Sequence, residues 1–116
     1  MVIYRTRYTI YIDSNMKRPA TSCCPAQRAL LVIGGKWKVP ILYHLQPCTR
    51  RFSELRRLLE PVTPRMLAQQ LRELERDGLV RRKVHAQVPP KVEYSLTPAG
   101  KTLRPIIQAM CRWGKP

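Results

Sequence analysis

Acidic side chains are scarce in this chain. Seven Asp+Glu stand against 22 Lys+Arg among 116 residues, a formal charge of +15 with His neutral. Such an excess of one sign points to a polyanionic partner, most often nucleic acid. Long apolar runs are also missing: none approaches the ~20 residues of a membrane span. The first residues carry no apolar core with a small-residue cleavage site, so a secretory signal is not indicated. The four cysteines, Cys23, Cys24, Cys48 and Cys111, form no Cys-x-x-Cys pair, and His44 and His85 lie far apart in sequence. These spacings match no zinc pattern, and no metal or cofactor is expected. Nor is there a phosphate-binding glycine loop, a readable Ser-His-Asp or Cys-His arrangement, or a carboxylate pair with a pocket. The expectation is a non-enzymatic, cytoplasmic protein with one main domain.

What is present is concentrated in one stretch, Thr63-Pro64-Arg65-Met66-Leu67-Ala68-Gln69-Gln70-Leu71-Arg72-Glu73-Leu74-Glu75-Arg76-Asp77-Gly78. Thr-Pro suits an N-cap and first helical position. Leu67, Leu71 and Leu74 recur at i, i+4 and i+7 as one apolar face, and Gly78 closes the helix. Arg65, Gln69 and Gln70 occupy the other side of the first turns, with side chains able to read base edges. Upstream, Pro25 to Ile33, Trp37 to Leu45 and Phe52 to Leu59 show helical spacing, the last with Phe52, Leu55, Leu58 and Leu59 expected inward. Downstream, Leu79 to Ala86 and Val92 to Leu96 read as strands around a turn stiffened by Pro89-Pro90. Thr97-Pro98 leads into a last helix, Thr102 to Trp113, with Leu103, Ile106, Ile107, Met110 and Trp113 at helical spacing. Two helices joined by a tight turn and followed by a hairpin make a winged helix-turn-helix. The expected fold class is α+β, mainly α, a winged helix-turn-helix with further helices on its N- and C-terminal sides.

Residues 1–22 read as a leader or arm, disordered or a start-site artefact, and residues 23–114 as the DNA-binding domain. Residues 1–15 (MVIYRTRYTIYIDSN) are β-like, and Met16 offers a second start.

Five segments carry a family resemblance: Ile33-Gly34-Gly35-Lys36-Trp37, Arg51 to Arg56, Arg65 to Leu74, Asp77-Gly78-Leu79-Val80 and Pro89 to Thr97. In this order, across residues 24–114, they resemble the HxlR-type, MarR-like winged-helix transcriptional regulators. The resemblance implies a homodimer acting on double-stranded DNA, with N- and C-terminal helices building the dimer. It also implies a thiol-reactive or other small effector in some members, sensed by a cysteine before a proline near the N-terminus; Cys24 stands there. A thiol just before a helix, with Arg28 one turn on, has the setting of a reactive group; the plainer alternative is an inert cysteine.

The expected DNA-binding residues follow. Thr63 caps the recognition helix, and Arg65 is the candidate for guanine, with a phosphate or a nearby Glu as its alternative partner. Gln69 reads adenine, Gln70 serves base or backbone, and Arg72 lies further along the helix. Met66 is a candidate for a thymine methyl, with core packing the stronger reading. Arg81, Arg82, Lys83 and Lys91 frame a wing expected across the backbone or minor groove, with Lys91 and one of the arginines on phosphates, a solvated basic hairpin being the alternative; Arg50 and Arg51 are further phosphate candidates. Glu73, Glu75 and Asp77 are expected in local ion pairs with Arg72 and Arg76. The aromatic residues Trp37, Phe52, Tyr94 and Trp113 read as core packing rather than a ligand pocket. The function expected is a sequence-specific regulator, with repression favoured. The alternative is a non-specific nucleic-acid-binding or architectural protein.

Overall fold

The structure is a computed structural model, and residues 24–116 are described. The leader reading of residues 1–22 falls outside the described residues, as does Cys23. Packing divides the chain into two units, residues 1–34 and 35–116. The described part of the first holds helix α1 (Pro25–Ile33), with Pro25 at its start and Cys24 as N-cap residue.

The second unit runs α2 (Lys38–Leu45), β1 (Arg50–Arg51), α3 (Phe52–Leu58), α4 (Pro64–Arg76), β2 (Val80–His85), β3 (Lys91–Leu96), α5 (Pro98–Lys101) and α6 (Arg104–Gly114). Helix α4 is set by its own ends. The Thr63 hydroxyl accepts the Met66 N–H at 3.1 Å, and Pro64 needs no donor at N1. At the other end Leu79 N–H reaches the Leu74 carbonyl and Gly78 N–H the Glu75 carbonyl, both at 3.0 Å. That Schellman closure needs a left-handed residue, which Gly78 supplies with φ +78°. Within α4, Leu67, Leu71 and Leu74 are at most 1% exposed. They join Ile41, Leu42, Leu45, Leu55, Leu59, Val62, Val80, Tyr94 and Leu96 in one core.

The sheet is antiparallel in the order β1-β3-β2. Arg50 and Arg51 oppose Tyr94 and Glu93, while Val80 opposes Leu96 and Lys83 opposes Glu93. The Thr97 hydroxyl ties the hairpin to the next helix: it donates to the Gly78 carbonyl at 2.6 Å and accepts from Gly100 N–H at 3.0 Å. Gly100 passes so close to Leu79 that a Cβ there would collide with the Leu79 carbonyl oxygen. Only glycine lets α5 start at this point.

Three expectations are corrected. The pair β1 was not anticipated, since two arginines show no alternation; pairing with β3 alone defines it. The single last helix is two, α5 and α6, because Pro105 cannot donate to the preceding turn and the chain re-enters helix at Arg104. In α3, Leu58 is 45% exposed rather than inward; a seven-residue helix cannot aim four apolar positions at one core, and Leu55 and Leu59 take the buried places.

Candidate nucleic-acid interface

Opposite the leucine stripe of α4, Arg65, Gln69, Arg72 and Arg76 repeat at i, i+4, i+7 and i+11, all exposed. The leucines fix the helix to the core while this polar stripe points outward. Met66 is 40% exposed on one flank, so core packing is not its role in this chain, and Gln70, one turn on along the same flank, is half-buried. Thr63, at the head of the helix, is exposed while its hydroxyl caps.

The acidic end of α4 differs from expectation. Arg76 meets Asp77 at 3.4 Å, the local pair foreseen. Glu73 instead pairs with Lys38 of α2 at 2.7 Å, and Lys38 is 7% exposed. The Lys38 ammonium holds the Glu73 carboxyl below the usual carboxylate range. Burial pushes the Asp77 carboxyl up, against the pull of Arg76 and Lys38. Lys38 was missed by sequence reasoning, although it shares the i, i+4, i+7 stripe with Leu42 and Leu45 and is the one charged residue on it.

The hairpin sorts its charges by face, because alternate residues of a strand point to opposite sides. Arg81, Lys83 and His85 of β2 share a face with Lys91 and Glu93 of β3 and with Arg51 of β1. Arg82 lies on the other face, opposite Tyr94, as does Arg50. On the basic face Glu93 is the single carboxylate. It meets His85 Nε2 at 2.6 Å and Lys91 Nζ at 3.7 Å. The hydrogen bond from His85 draws the Glu93 carboxyl down, with Lys91 and Arg51 adding to the effect. Sequence reading placed no role on Glu93; its isolation among cations was the available signal.

The candidate residues next to α3 have structural duties as well. Arg50 Nε donates to the His44 carbonyl at 2.7 Å. Burial, then the Arg50 charge, lowers the His44 imidazole from its ordinary value. The Arg51 N–H donates to the Glu54 carboxylate at 2.8 Å, and the Arg51 side chain is exposed. The structure thus brings Arg65, Gln69 and Arg72 onto one helix face. It brings Arg51, Arg81, Lys83 and Lys91 onto one sheet face. Arg50 and Arg82 belong to neither group.

Among the aromatics, Tyr94 is core, Phe52 and Trp37 are half-buried, and the Lys36 ammonium lies 5.0 Å from the Trp37 ring centre. Trp113 overturns the core reading: it is 90% exposed at the end of α6. Cys24, Cys48 and Cys111 are exposed. Among the described residues no cluster of His, Cys, Asp and Glu could hold a metal ion, and no helix is long and apolar enough to cross a membrane.

This arrangement has known counterparts. The sequence model of the HxlR-like helix-turn-helix family matches residues 32–116. The chain belongs to that family. Over 92 residues it is 56% identical to the HTH-type transcriptional regulator YdeP of Bacillus subtilis (strain 168), covering 79% of this chain and 72% of that protein. The solved structure of the redox regulator HypR in its oxidised form superposes with a TM-score of 0.75 at 56% identity, covering 78% of this chain and 94% of that one. The diamide-treated form of YodB from B. subtilis gives a TM-score of 0.67 at 32% identity, over 82% of this chain and 99% of that one. As an HxlR-like chain this protein is a helix-turn-helix transcriptional regulator, and these relatives place it outside the enzymes. The winged-helix assignment holds with them.

Proposed function

We propose that this chain is a homodimeric, sequence-specific DNA-binding regulator that represses by occluding a promoter. The observation that carries the reading is the two-sided α4, leucines at most 1% exposed on one face and exposed Arg65, Gln69 and Arg72 on the other. An exposed helix face of this composition fits the major groove, with Arg65 on guanine and Gln69 on adenine. Thr63, Met66 and Gln70 flank that reading edge. Arg51, Arg81, Lys83 and Lys91 would follow the phosphates, with Arg50 and Arg82 as lesser contributors. The dimer is supported by α6, where Ile106 and Met110 are each 46% exposed and Trp113 90%. Apolar side chains repeated along one exposed helix face need a partner surface. Two recognition helices related by a two-fold axis would then read half-sites roughly 34 Å apart.

Cys24 is proposed as a thiol sensor. It is exposed and stands as N-cap residue of α1. The names of the neighbouring structures, a redox regulator and a diamide-treated regulator, favour such a role. An effector acts by preferring one spacing of the two helices over another.

The test is a binding titration on the DNA upstream of the protein's own gene, with random duplex as competitor, with and without diamide, using wild type and Cys24→Ser. Binding that survives competitor, and that diamide abolishes only when Cys24 is present, is the expected result. If the dimer makes ~6–10 phosphate contacts, affinity falls by ~10³–10⁵ between about 50 and 200 mM salt. The +15 charge favours a second reading, a non-specific nucleic-acid binder. Equal displacement by random DNA, together with failure of genome-wide selection to enrich a site, would establish that instead.

A further inference from the structure

The Glu73 carboxylate has two partners, one on each oxygen. Oε1 lies 2.7 Å from the Lys38 ammonium, and Oε2 accepts from the Gln69 amide nitrogen at 3.4 Å. Lys38 comes from α2 and is buried, so the carboxylate is held from outside its own helix. Gln69 lies one turn before Glu73 on α4 and is exposed. A glutamine amide has two N–H donors and one carbonyl acceptor. Bidentate recognition of adenine uses one donor, to N7, and the acceptor, for N6–H. Nε2 can thus give one N–H to Glu73 and keep the other, with the carbonyl, for an adenine edge. The bond to Glu73 also restrains the amide, which a surface glutamine without such a partner would have to order at entropic cost on binding.

We infer that Lys38, acting through Glu73, is a positioning residue for base reading: it sets the Gln69 amide in the orientation that accepts adenine. The inference rests on the proposed DNA-reading role of α4. It extends that role to a buried residue of another helix. Lys38 touches no DNA in this scheme; its effect is on preference at one base position rather than on overall affinity.

The experiment begins by selecting a site for the full-length wild type from random duplex DNA. Every base of that site is then substituted in turn in competition titrations. The proteins compared are wild type, Gln69→Ala, Lys38→Met, Lys38→Arg and the Gln69→Ala/Lys38→Met pair, each checked by circular dichroism. Wild type is expected to prefer adenine at one position of each half-site by about tenfold or more, the discrimination of one bidentate pair. Gln69→Ala identifies that position by losing the preference. Lys38→Met is expected to lose most of it at the same position, while other positions and the salt dependence stay unchanged. The double variant should be no worse there than Gln69→Ala alone, because the two residues act in series. Lys38→Arg, which keeps the charge, should restore most of the preference.

Losses that add in the double variant overturn the inference. So does a Lys38→Met variant that weakens binding uniformly with its adenine preference intact, which would mark a merely structural pair. If Lys38→Met does not fold, Glu73→Gln takes its place: it removes the charge that Lys38 pairs with and turns one acceptor oxygen into a donor, so Lys38 and Gln69 no longer each have an oxygen of their own; the same single-position loss is expected and its absence is equally decisive. A wild type that selects a site but shows no adenine dependent on Gln69 defeats this inference alone. A wild type that selects no site defeats the sequence-specific reading and this inference together.

Discussion

Helices α4 and α6 are written by the same rule and end in opposite situations. Each carries apolar residues at helical spacing and a basic opposite side. In α4 the stripe Leu67, Leu71, Leu74 is at most 1% exposed. In α6 only Ile107 is buried, while Ile106, Met110 and Trp113 remain 46%, 46% and 90% exposed. An amphipathic pattern thus predicts that a face will be covered, without saying by what. For α4 the cover is the chain's own core, which leaves the polar stripe as the exposed side. For α6 the apolar stripe itself is free, and a second copy is the occupant that the dimer proposal assigns to it.

The comparison is broken most severely through α4. Leu71→Ala removes a fully buried side chain at the meeting point of the helix and the core, and should cost ~2–5 kcal/mol of folding stability. Urea denaturation measures this directly, and an unchanged midpoint would mean that α4 is not anchored as its burial implies. Trp113→Ala probes the other side. It should leave the stability of the isolated chain within ~0.5 kcal/mol, as for an exposed residue. The same change should weaken association by ~2 kcal/mol or more if the indole is a central anchor of the dimer. Sedimentation over a concentration series separates the two effects. A large loss of chain stability with unaltered association would reverse the assignment of the two helices.

A smaller effect is expected from Thr63→Ala, which removes the hydroxyl that accepts the Met66 N–H. The loss should be ~1 kcal/mol, with the serine variant near wild type. Hydrogen exchange at the first turn of α4 is the sensitive readout; protection unchanged in the alanine variant would show that solvent satisfies those amides as well as the cap does.

How far the sequence disclosed these features depends on the range of the forces involved. The α4 cap, its leucine spacing and the Gly78 closure are all local, and each was legible. So was the hairpin, from the strand patterns on either side of Pro89-Pro90. What escaped was non-local. Arg50 and Arg51 become a strand only because Tyr94 and Glu93 lie beside them. Lys38 reads as a surface lysine until Glu73 of a distant helix arrives at 2.7 Å. Trp113 shows the converse: its periodicity was read correctly, but period alone does not distinguish a core of one chain from a surface shared by two. The break between α5 and α6 was local, carried by Pro105, and was simply outweighed by the apolar spacing around it. The DNA-facing roles of Arg65 and Gln69 were inferred from side-chain chemistry, and the exposed stripe on which they lie gives that chemistry a place to act.

The subtlest test concerns the two carboxyls at the end of α4, whose shifts have opposite sign. Glu73 is held low by Lys38, so its native pKa lies below its unfolded value. The stability it confers is fully present above the ordinary glutamate range and is lost as pH falls through the native value. Asp77 is raised by burial, so its contribution runs the other way: present in acid, lost as pH rises through its native pKa. The two contributions therefore change with pH in opposite senses. Glu73→Gln removes the first contribution, so the stability gap from wild type should be greatest at neutral pH and close progressively on acidification. Thermal melts from neutral pH into the acid range would record it. A gap that stays constant with pH would mean that the Lys38–Glu73 contact acts through shape and hydrogen bonding alone. The ion pair would then tie α2 to the recognition helix without making its hold on that helix sensitive to acid.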